Sequence, residues 1–215
     1  RFAAIGVPNI CITGELRFDQ EVPTDLITAA IELRKAMPDP KRQIVAIASG
    51  VEKEEEVYLK MILELRKWAQ KNGQTAPLIV YVPRAPEQFA QVGNNLEKAG
   101  LKVSRRSREF SACREGLRSI PRNWSLDIDV FLGDSLGEMY FYLTLSDKVI
   151  VGGGFSARGA HNIIEPLALA KPVFVGPYTW TIEFPFFEAE TAGLAKSYTT
   201  PSHMIEALLE GESET

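Results

Sequence analysis

Residues 151 to 177, VGGGFSARGAHNIIEPLALAKPVFVGP, are the most informative stretch of this chain. A strand predicted over Lys148 to Val151 runs into three glycines, a helix carrying Glu165 follows, and a second strand is predicted over Val173 to Val175. Glycines before a helix N-terminus bring backbone N–H groups and the positive end of the helix dipole together, which suits a phosphate. Because a carboxylate in that helix suits a ribose diol, the stretch predicts a nucleotide-binding site.

Strand and helix patterns alternate along the whole chain, and most strands end in Gly, Pro or Ser. The clearest helix pattern covers Glu52 to Lys71, with acidic first turns and a basic end. Alternation of this kind predicts an α/β fold, a Rossmann-like doubly wound parallel sheet that binds ligands at the carboxyl ends of its strands. The other five predicted strands are Ile10 to Thr13, Ile44 to Ala48, Leu78 to Val82, Lys102 to Ser104 and Asp129 to Leu132.

The composition predicts one globular domain. The chain has 215 residues, of which 45% are hydrophobic and 24% charged, and these values exclude disordered and fibrous classes. Its net charge of −4 gives no general attraction to nucleic acid, and neither a membrane-spanning run nor a signal peptide is recognisable. Cys11 and Cys113 match no metal-binding spacing, so we expect idle thiols and no metal site. The chain begins with Arg1 rather than Met, so we expect it to be an excised part of a longer protein.

Two candidate motifs follow predicted strands. The first motif is Pro83-Arg84. Pro83 and Pro86 on either side restrict the backbone of Arg84, and a guanidinium held there suits a phosphate or carboxylate. The alternative is a surface salt bridge from Arg84 to Glu87. Leu136-Gly137-Glu138 comes after Asp134-Ser135, which could cap a helix running to about Leu145. An acid such as Glu138 favours the helix dipole without needing any ligand.

The third motif is Asn162 to Glu165, which includes Ile163 and Ile164. Asn162 and Glu165 are spaced to share one face of a starting helix, where they form either a ligand site or a capping pair, or both at once. A ligand-binding role and a structural role in packing the turn fit His161 equally well. His203 is predicted to lie on the surface. The basic cluster from Arg105 to Arg108 is interpreted as a solvated edge, since no aromatic residues interleave with it.

Four motifs follow one another along the chain. They are TGELRFD at 13–19, VPRAPEQF at 82–89, GDSLGEM at 133–139, and HN-x-x-EP at 161–166 with KPV and GP after it. They resemble motifs of the bacterial transferases of 3-deoxy-D-manno-octulosonic acid (Kdo), where the first three read TGNLKFD, VPRHPERF and GDTMGEM. The resemblance runs from about residue 1 to about residue 195, but it covers only the C-terminal half of such an enzyme.

The resemblance implies a glycosyltransferase of the GT-B architecture, in which this half binds CMP-Kdo and the other half supplies the acceptor site for the lipid A precursor and the general base. It therefore implies that this chain alone is inactive, that no cofactor is needed, and that the whole enzyme works at the cytoplasmic face of the bacterial inner membrane. Arg84 and amides near Gly152 to Gly154 would stabilise the leaving phosphate, and Glu165 would orient the ribose. The implied donor-binding residues are Pro83, Arg84, Leu136, Gly137, Glu138, Asn162, Ile163, Ile164 and Glu165.

The chain departs from the family motifs at several positions. Two family histidines are replaced by Ala85 and Val51, a serine by Gly154, and a glycine by Ala160. These changes weaken the assignment of Kdo more than that of CMP. The open alternatives are a transferase or epimerase that uses a UDP-sugar, and a diverged module that binds a nucleotide or nothing.

Overall fold

The computed structural model describes residues 2–11, 14–109 and 127–210. Within these residues the strands are β1 (Ile44–Gly50), β2 (Leu78–Pro83), β3 (Val103–Arg105), β4 (Val130–Leu132), β5 (Lys148–Val151), β6 (Val173–Val175) and β7 (Ala195–Ser197). These seven strands form one sheet with every pairing parallel, in the order β3-β4-β2-β1-β5-β6-β7. The predicted doubly wound parallel α/β fold is therefore confirmed.

Helices cover both faces of the sheet, because alternate side chains of each strand point to opposite sides. The helices are α1 (Thr24–Ala36), α2 (Glu55–Asn72), α3 (Phe89–Lys98), α4 (Arg106–Glu109), α5 (Met139–Leu145), α6 (Ile164–Ala168), α7 (Glu183–Thr191) and α8 (Pro201–Leu209). In β1, Ile44 and Ala46 belong to a buried cluster with α1, α5 and α7, while Val45 and Ile47 belong to a second cluster with α2, α3 and α8.

The order of the strands reverses between β1 and β5. From β1 the chain continues to its neighbour β2 and then to the edge strand β3, and β4 inserts between β2 and β3. The chain then returns to place β5 on the other side of β1. Ligands of doubly wound sheets bind in the crevice at such a switch point. Here the Gly152 N–H donates to the Ala48 carbonyl at 2.8 Å, and a Cβ on Gly152 would lie 2.2 Å from the Ser49 carbonyl oxygen. Glycine at position 152 thus lets two loops approach closely.

Most predicted elements agree with the structure, and β5 and β6 agree to the residue. β7 was not predicted, because its sequence, Ala-Lys-Ser, is too short and polar to stand out. Of the strand predicted over Ile10 to Thr13, Ile10 and Cys11 are irregular, and residues 12 and 13 lie outside the described residues. Cys113 also lies outside them, while Cys11 is an exposed free thiol.

Two sequence interpretations are corrected by contacts across the sheet. The helix expected after Asp134-Ser135 begins only at Met139, because the Asp134 carboxylate accepts hydrogen bonds from the Ser107 N–H (2.8 Å) and hydroxyl (2.5 Å) instead of capping. Among the arginines of the basic cluster only Arg108 is solvated, since Arg105 and Arg106 are 6% and 2% exposed and both bind carboxylates. No helix within the described residues has the length and apolar character needed to cross a membrane.

Candidate functional site

Arg84, His161 and Glu165 come together at the carboxyl edge of the sheet. The Arg84 N–H donates to the Gly50 carbonyl at 2.8 Å, which fixes the backbone after β2 and leaves the side chain exposed. Burial lowers the pKa of His161, and the Arg84 guanidinium lowers it further. Burial raises the pKa of Glu165, against the opposing effect of two guanidinium groups, one of them Arg84. The Arg84 guanidinium is therefore close enough to act electrostatically on two residues of the third motif.

Asn162 lies in the turn that leads into α6. Its Oδ1 accepts a hydrogen bond from the Ile164 N–H at 2.9 Å, and it stands one residue before Ile163, the N-cap residue of α6, whose side chain makes no capping hydrogen bond. The Asn162 side chain also lowers the pKa of the Glu165 carboxyl against the larger effect of burial, so the two groups lie close together. Ile163 and Ile164 are buried, at 0% and 5% exposed, so their side chains pack in the core and only their backbone can face a ligand.

Arg17 and Tyr140 extend this site, and neither was predicted as a ligand. Arg17 lies in the short 3₁₀ helix Leu16–Asp19, and it is the larger of the two positive influences on Glu165. The only sequence signal for it is its place in the motif TGELRFD. Tyr140 stands at the start of α5, where burial and the charge of Glu165 raise the pKa of its phenol. Tyr140 thus brings the chain just after the second motif close to the third.

The second motif splits into an exposed loop and a buried carboxylate. Glu138 is 5% exposed and binds Arg106 in a bidentate ion pair, with distances of 2.9 Å to Nε and 2.8 Å to Nη2. It also accepts a hydrogen bond from the Ser135 hydroxyl. Leu136, by contrast, is 73% exposed, and Gly137 turns the chain with a φ of +74° that favours glycine. Leu136 and Gly137 therefore face outward, and the Glu138 side chain anchors their loop from below.

The glycine turn does not present its amides to a phosphate as expected. The Gly153 and Phe155 N–H groups each donate to the Glu54 carboxylate at 2.7 Å, and Glu54 is itself buried at 1% exposed. The Tyr58 hydroxyl donates to the same carboxylate at 2.6 Å. A side-chain anion therefore occupies the place that the sequence suggested for a ligand. A Cβ on Gly154 would lie 2.4 Å from the nitrogen of Gly176, so this glycine too serves close backbone contact.

The side chains at this edge of the sheet have the hydrogen-bonding groups and charges that suit a nucleoside monophosphate. Two guanidinium groups, Arg17 and Arg84, can pair with phosphate oxygens. Asn162 and Glu165 can bind hydroxyl donors, while burial and Arg84 favour the neutral form of His161. Among the described residues no group of three His, Cys, Asp or Glu is arranged to hold a metal ion. Arg84 makes no ion pair with Glu87 in the part of the chain that the structure describes, so its side chain is not committed to that alternative.

No family model matches the chain, but individual proteins do. It is 34% identical over 195 residues to a 3-deoxy-D-manno-octulosonic acid transferase of Bordetella pertussis, covering 91% of this chain and 42% of the relative. It is 30% identical over 215 residues to the transferase of the same name from Haemophilus influenzae, covering 97% of this chain and 46% of that relative. The chain thus spans about half the length of the curated relatives it matches.

A solved structure matches the fold as well. It is the C-terminal CMP-Kdo binding domain of WaaA from Acinetobacter baumannii, with a TM-score of 0.71 and 26% sequence identity. The match covers 89% of this chain and 93% of that one. The four motifs, the parallel sheet and these similarities agree with one another. The chain is therefore a relative of the Kdo transferase family, and its fold corresponds to that of the C-terminal domain solved for one such relative.

Proposed function

We propose that this chain is the donor-binding domain of a glycosyltransferase that moves Kdo from CMP-Kdo to the lipid A precursor in lipopolysaccharide biosynthesis. The observation that carries the proposal is the convergence of Arg84, His161 and Glu165, with Arg17 beside them, at the open edge next to the switch point. The names of the relatives and of the solved domain support the choice of Kdo and of CMP.

The phosphate of CMP is assigned to Arg84 and Arg17. When the glycosidic bond breaks, CMP is the leaving group and its phosphate gains negative charge. Two guanidinium groups already in position stabilise that charge more strongly in the transition state than in the bound donor, which lowers the barrier. The amides of the glycine turn are not part of this assignment, because Glu54 engages two of them.

The ribose is assigned to Glu165, which has Asn162 close beside it. A carboxylate accepts hydrogen bonds from both hydroxyls of a diol, and its partial burial strengthens them. Leu136 and Gly137 form an exposed loop after β4 and are assigned to the rim of the nucleotide pocket. Pro83 ends β2 and sets the direction of the chain into Arg84.

The acceptor site and the general base are assigned to the part of the relatives that this chain does not cover. We accordingly expect the purified chain to bind donor without transferring the sugar, and turnover by it would contradict this assignment. Contact with the lipid A precursor, and work at the cytoplasmic face of the inner membrane, are proposed for the full-length protein on the strength of the same relationship.

The identity of the sugar rests on less than that of the nucleotide. Val51 and Ala85 follow β1 and β2, where the family motifs carry histidines, and they offer no hydrogen bond to a sugar carboxylate. Kdo is proposed because the relatives carry that name, and this part of the proposal needs its own test. Competition of CMP-Kdo against CMP for the chain shows whether the sugar adds to the affinity.

The direct test is calorimetric titration of the chain with CMP, and with UMP and UDP for comparison. Saturable binding of CMP is expected, weakened about tenfold or more by Glu165→Ala, since about 1.5–3 kcal/mol is typical for a hydrogen bond to a charged group. Glu64→Ala is the matched control, because Glu64 is exposed on α2. Tighter binding of UMP or UDP would support a UDP-sugar enzyme, and no binding of any nucleotide would favour the non-catalytic module.

A further inference from the structure

A cavity lies between α2 and α3, and none of the residues assigned to the donor lines it. Its volume is about 590 Å³, within the range of roughly 300–1,000 Å³ typical of small-molecule sites. The side chains of Tyr81, Val92 and Leu96, with Leu59, give it apolar walls. None of these residues takes part in the site at the carboxyl edge, so the cavity needs an explanation of its own.

One end of this cavity is acidic. Glu52, Glu55 and Glu56 line it, and the only charged side chain opposing them in the lining is Lys98. Gln91 and Asn95 donate to Oε2 of Glu55 at 3.4 and 3.3 Å, which directs that carboxylate across the groove. The cluster therefore favours a ligand with positive charge at this end.

Two buried polar atoms in the lining form no hydrogen bond with any described residue. They are Oε1 of Glu55 and the hydroxyl of Tyr81. Tyr81 is 2% exposed, and burial, followed by the nearby charges of Glu55 and Glu54, raises the pKa of its phenol so that it keeps its proton. Buried polar groups in proteins are nearly always hydrogen-bonded to protein or to water, so these two atoms can accept a polar ligand that replaces water in the cavity.

The geometry disfavours a compact metal ion as that ligand. The three glutamates share the cavity, yet among the described residues no set of three acidic, His or Cys side chains is close enough to ligate one ion. An ammonium group has three donors, which suits an acceptor pair plus a neighbouring carboxylate. The apolar walls beside it suit an alkyl chain.

We propose that this cavity binds a primary ammonium group carried on an aliphatic chain. The ammonium group hydrogen-bonds Oε1 of Glu55 and the Tyr81 oxygen, and the chain packs against Val92 and Leu96. This site is separate from the proposed donor site, and the inference does not depend on the proposed function.

The test is a titration of the ¹⁵N-labelled chain with n-hexylammonium chloride, followed by amide chemical shifts. Saturable shifts are expected for Gln91 and Asn95, and 1-hexanol, which has the same chain without charge, should not reproduce them. Glu55→Gln keeps the shape of the side chain and should weaken binding about tenfold or more, as expected when a hydrogen bond loses its charged partner. Glu64→Gln, on the exposed face of α2, should bind like the wild type.

Tyr81→Phe provides an independent variant, since it removes only the hydroxyl and keeps the ring that packs in the core. It too should weaken binding of n-hexylammonium while leaving the amide spectrum dispersed. Three results would overturn the proposal: shifts that do not saturate, equal affinity for 1-hexanol, or unchanged affinity in both Glu55→Gln and Tyr81→Phe. The first of these would show non-specific attraction to surface acids.

Discussion

Glu138 and Glu165 were both predicted to bind the nucleotide, and the structure gives them opposite surroundings. Glu138 is buried in a bidentate pair with Arg106. Glu165 is half-buried and forms no direct ion pair within the described residues, although Arg17 and Arg84 act on it. The first carboxylate has its hydrogen-bonding capacity committed inside the protein, while the second keeps capacity for a ligand. Both stand at the start of a helix, so the difference comes from what packs beside each one.

The largest test of this contrast is Arg106→Met. Removing the guanidinium leaves the Glu138 charge buried without its partner, and breaking such a pair typically costs about 3–5 kcal/mol. We expect a loss of that size in the free energy of unfolding, measured with urea. Arg84→Met removes an exposed guanidinium and should change the free energy of unfolding by less than about 0.5 kcal/mol. Similar losses in the two variants would show that the contrast is false.

Glu54→Gln tests whether the Glu54 carboxylate, which binds the glycine turn, contributes to stability as Glu138 does. In glutamine an NH2 group replaces one carboxylate oxygen. The side chain then cannot accept hydrogen bonds from both N–H groups and from the Tyr58 hydroxyl as the carboxylate does. We expect a loss of about 1.5–3 kcal/mol in the free energy of unfolding. Glu52→Gln, at an exposed residue of the same segment, is the control. A free energy of unfolding equal to that of the wild type would contradict the structural role of Glu54, and the amides of the glycine turn would again be candidates for binding a ligand.

Glu165→Gln should change how stability depends on pH. Since burial raises the pKa of the folded Glu165 carboxyl, the folded chain holds a proton that the unfolded chain releases above its ordinary pKa of about 4.3. This group therefore makes stability fall as pH rises from about 4.3 through the raised pKa. Burial raises the pKa of Glu55 as well, so the variant should reduce the slope without abolishing it.

The measurement is urea unfolding at a series of pH values, with Glu64→Gln as the control on the exposed face of α2. A slope in Glu165→Gln identical to that of wild type would place Glu165 in the same class as the solvated glutamates.

The smallest expected effect is on His161. Burial is the larger cause of its lowered pKa, and Arg84 is the second. Arg84→Met should therefore raise the pKa of His161 only in part, as followed by the Cε1–H resonance in NMR titrations. Arg158→Met removes an exposed guanidinium elsewhere in the glycine segment and is the matched control. An unchanged pKa of His161 in Arg84→Met would show that the two side chains do not interact, and it would contradict their assignment to one site.

The local sequence pattern was sufficient to predict the parallel sheet and part of the candidate site. β5 and β6 are short apolar runs bounded by Gly or Pro, and alternation with helices predicts their parallel pairing. Arg84 and Glu165 could be predicted because strand ends converge at one edge of such a sheet. Their proximity required no knowledge of individual side-chain contacts.

Pairings between distant residues were beyond the sequence. Glu54 and Gly153 are separated by 99 positions, and Arg106 and Glu138 by 32. Nothing in the local pattern of either glutamate shows that a donor will be buried against it. Sequence reasoning therefore placed Glu138 and the glycine amides in the ligand site, and overlooked Arg106 as a buried cation.

The contact between Gly154 and Gly176 has a consequence for natural variation in this protein's relatives. The Tyr178 N–H donates to the Gly154 carbonyl at 2.9 Å, so the glycine segment and the loop after β6 share both a close contact and a hydrogen bond. The family motif carries a serine at position 154, and its Cβ has no room against Gly176 in this backbone. A side chain at position 154 therefore requires the loop that carries Gly176 to shift.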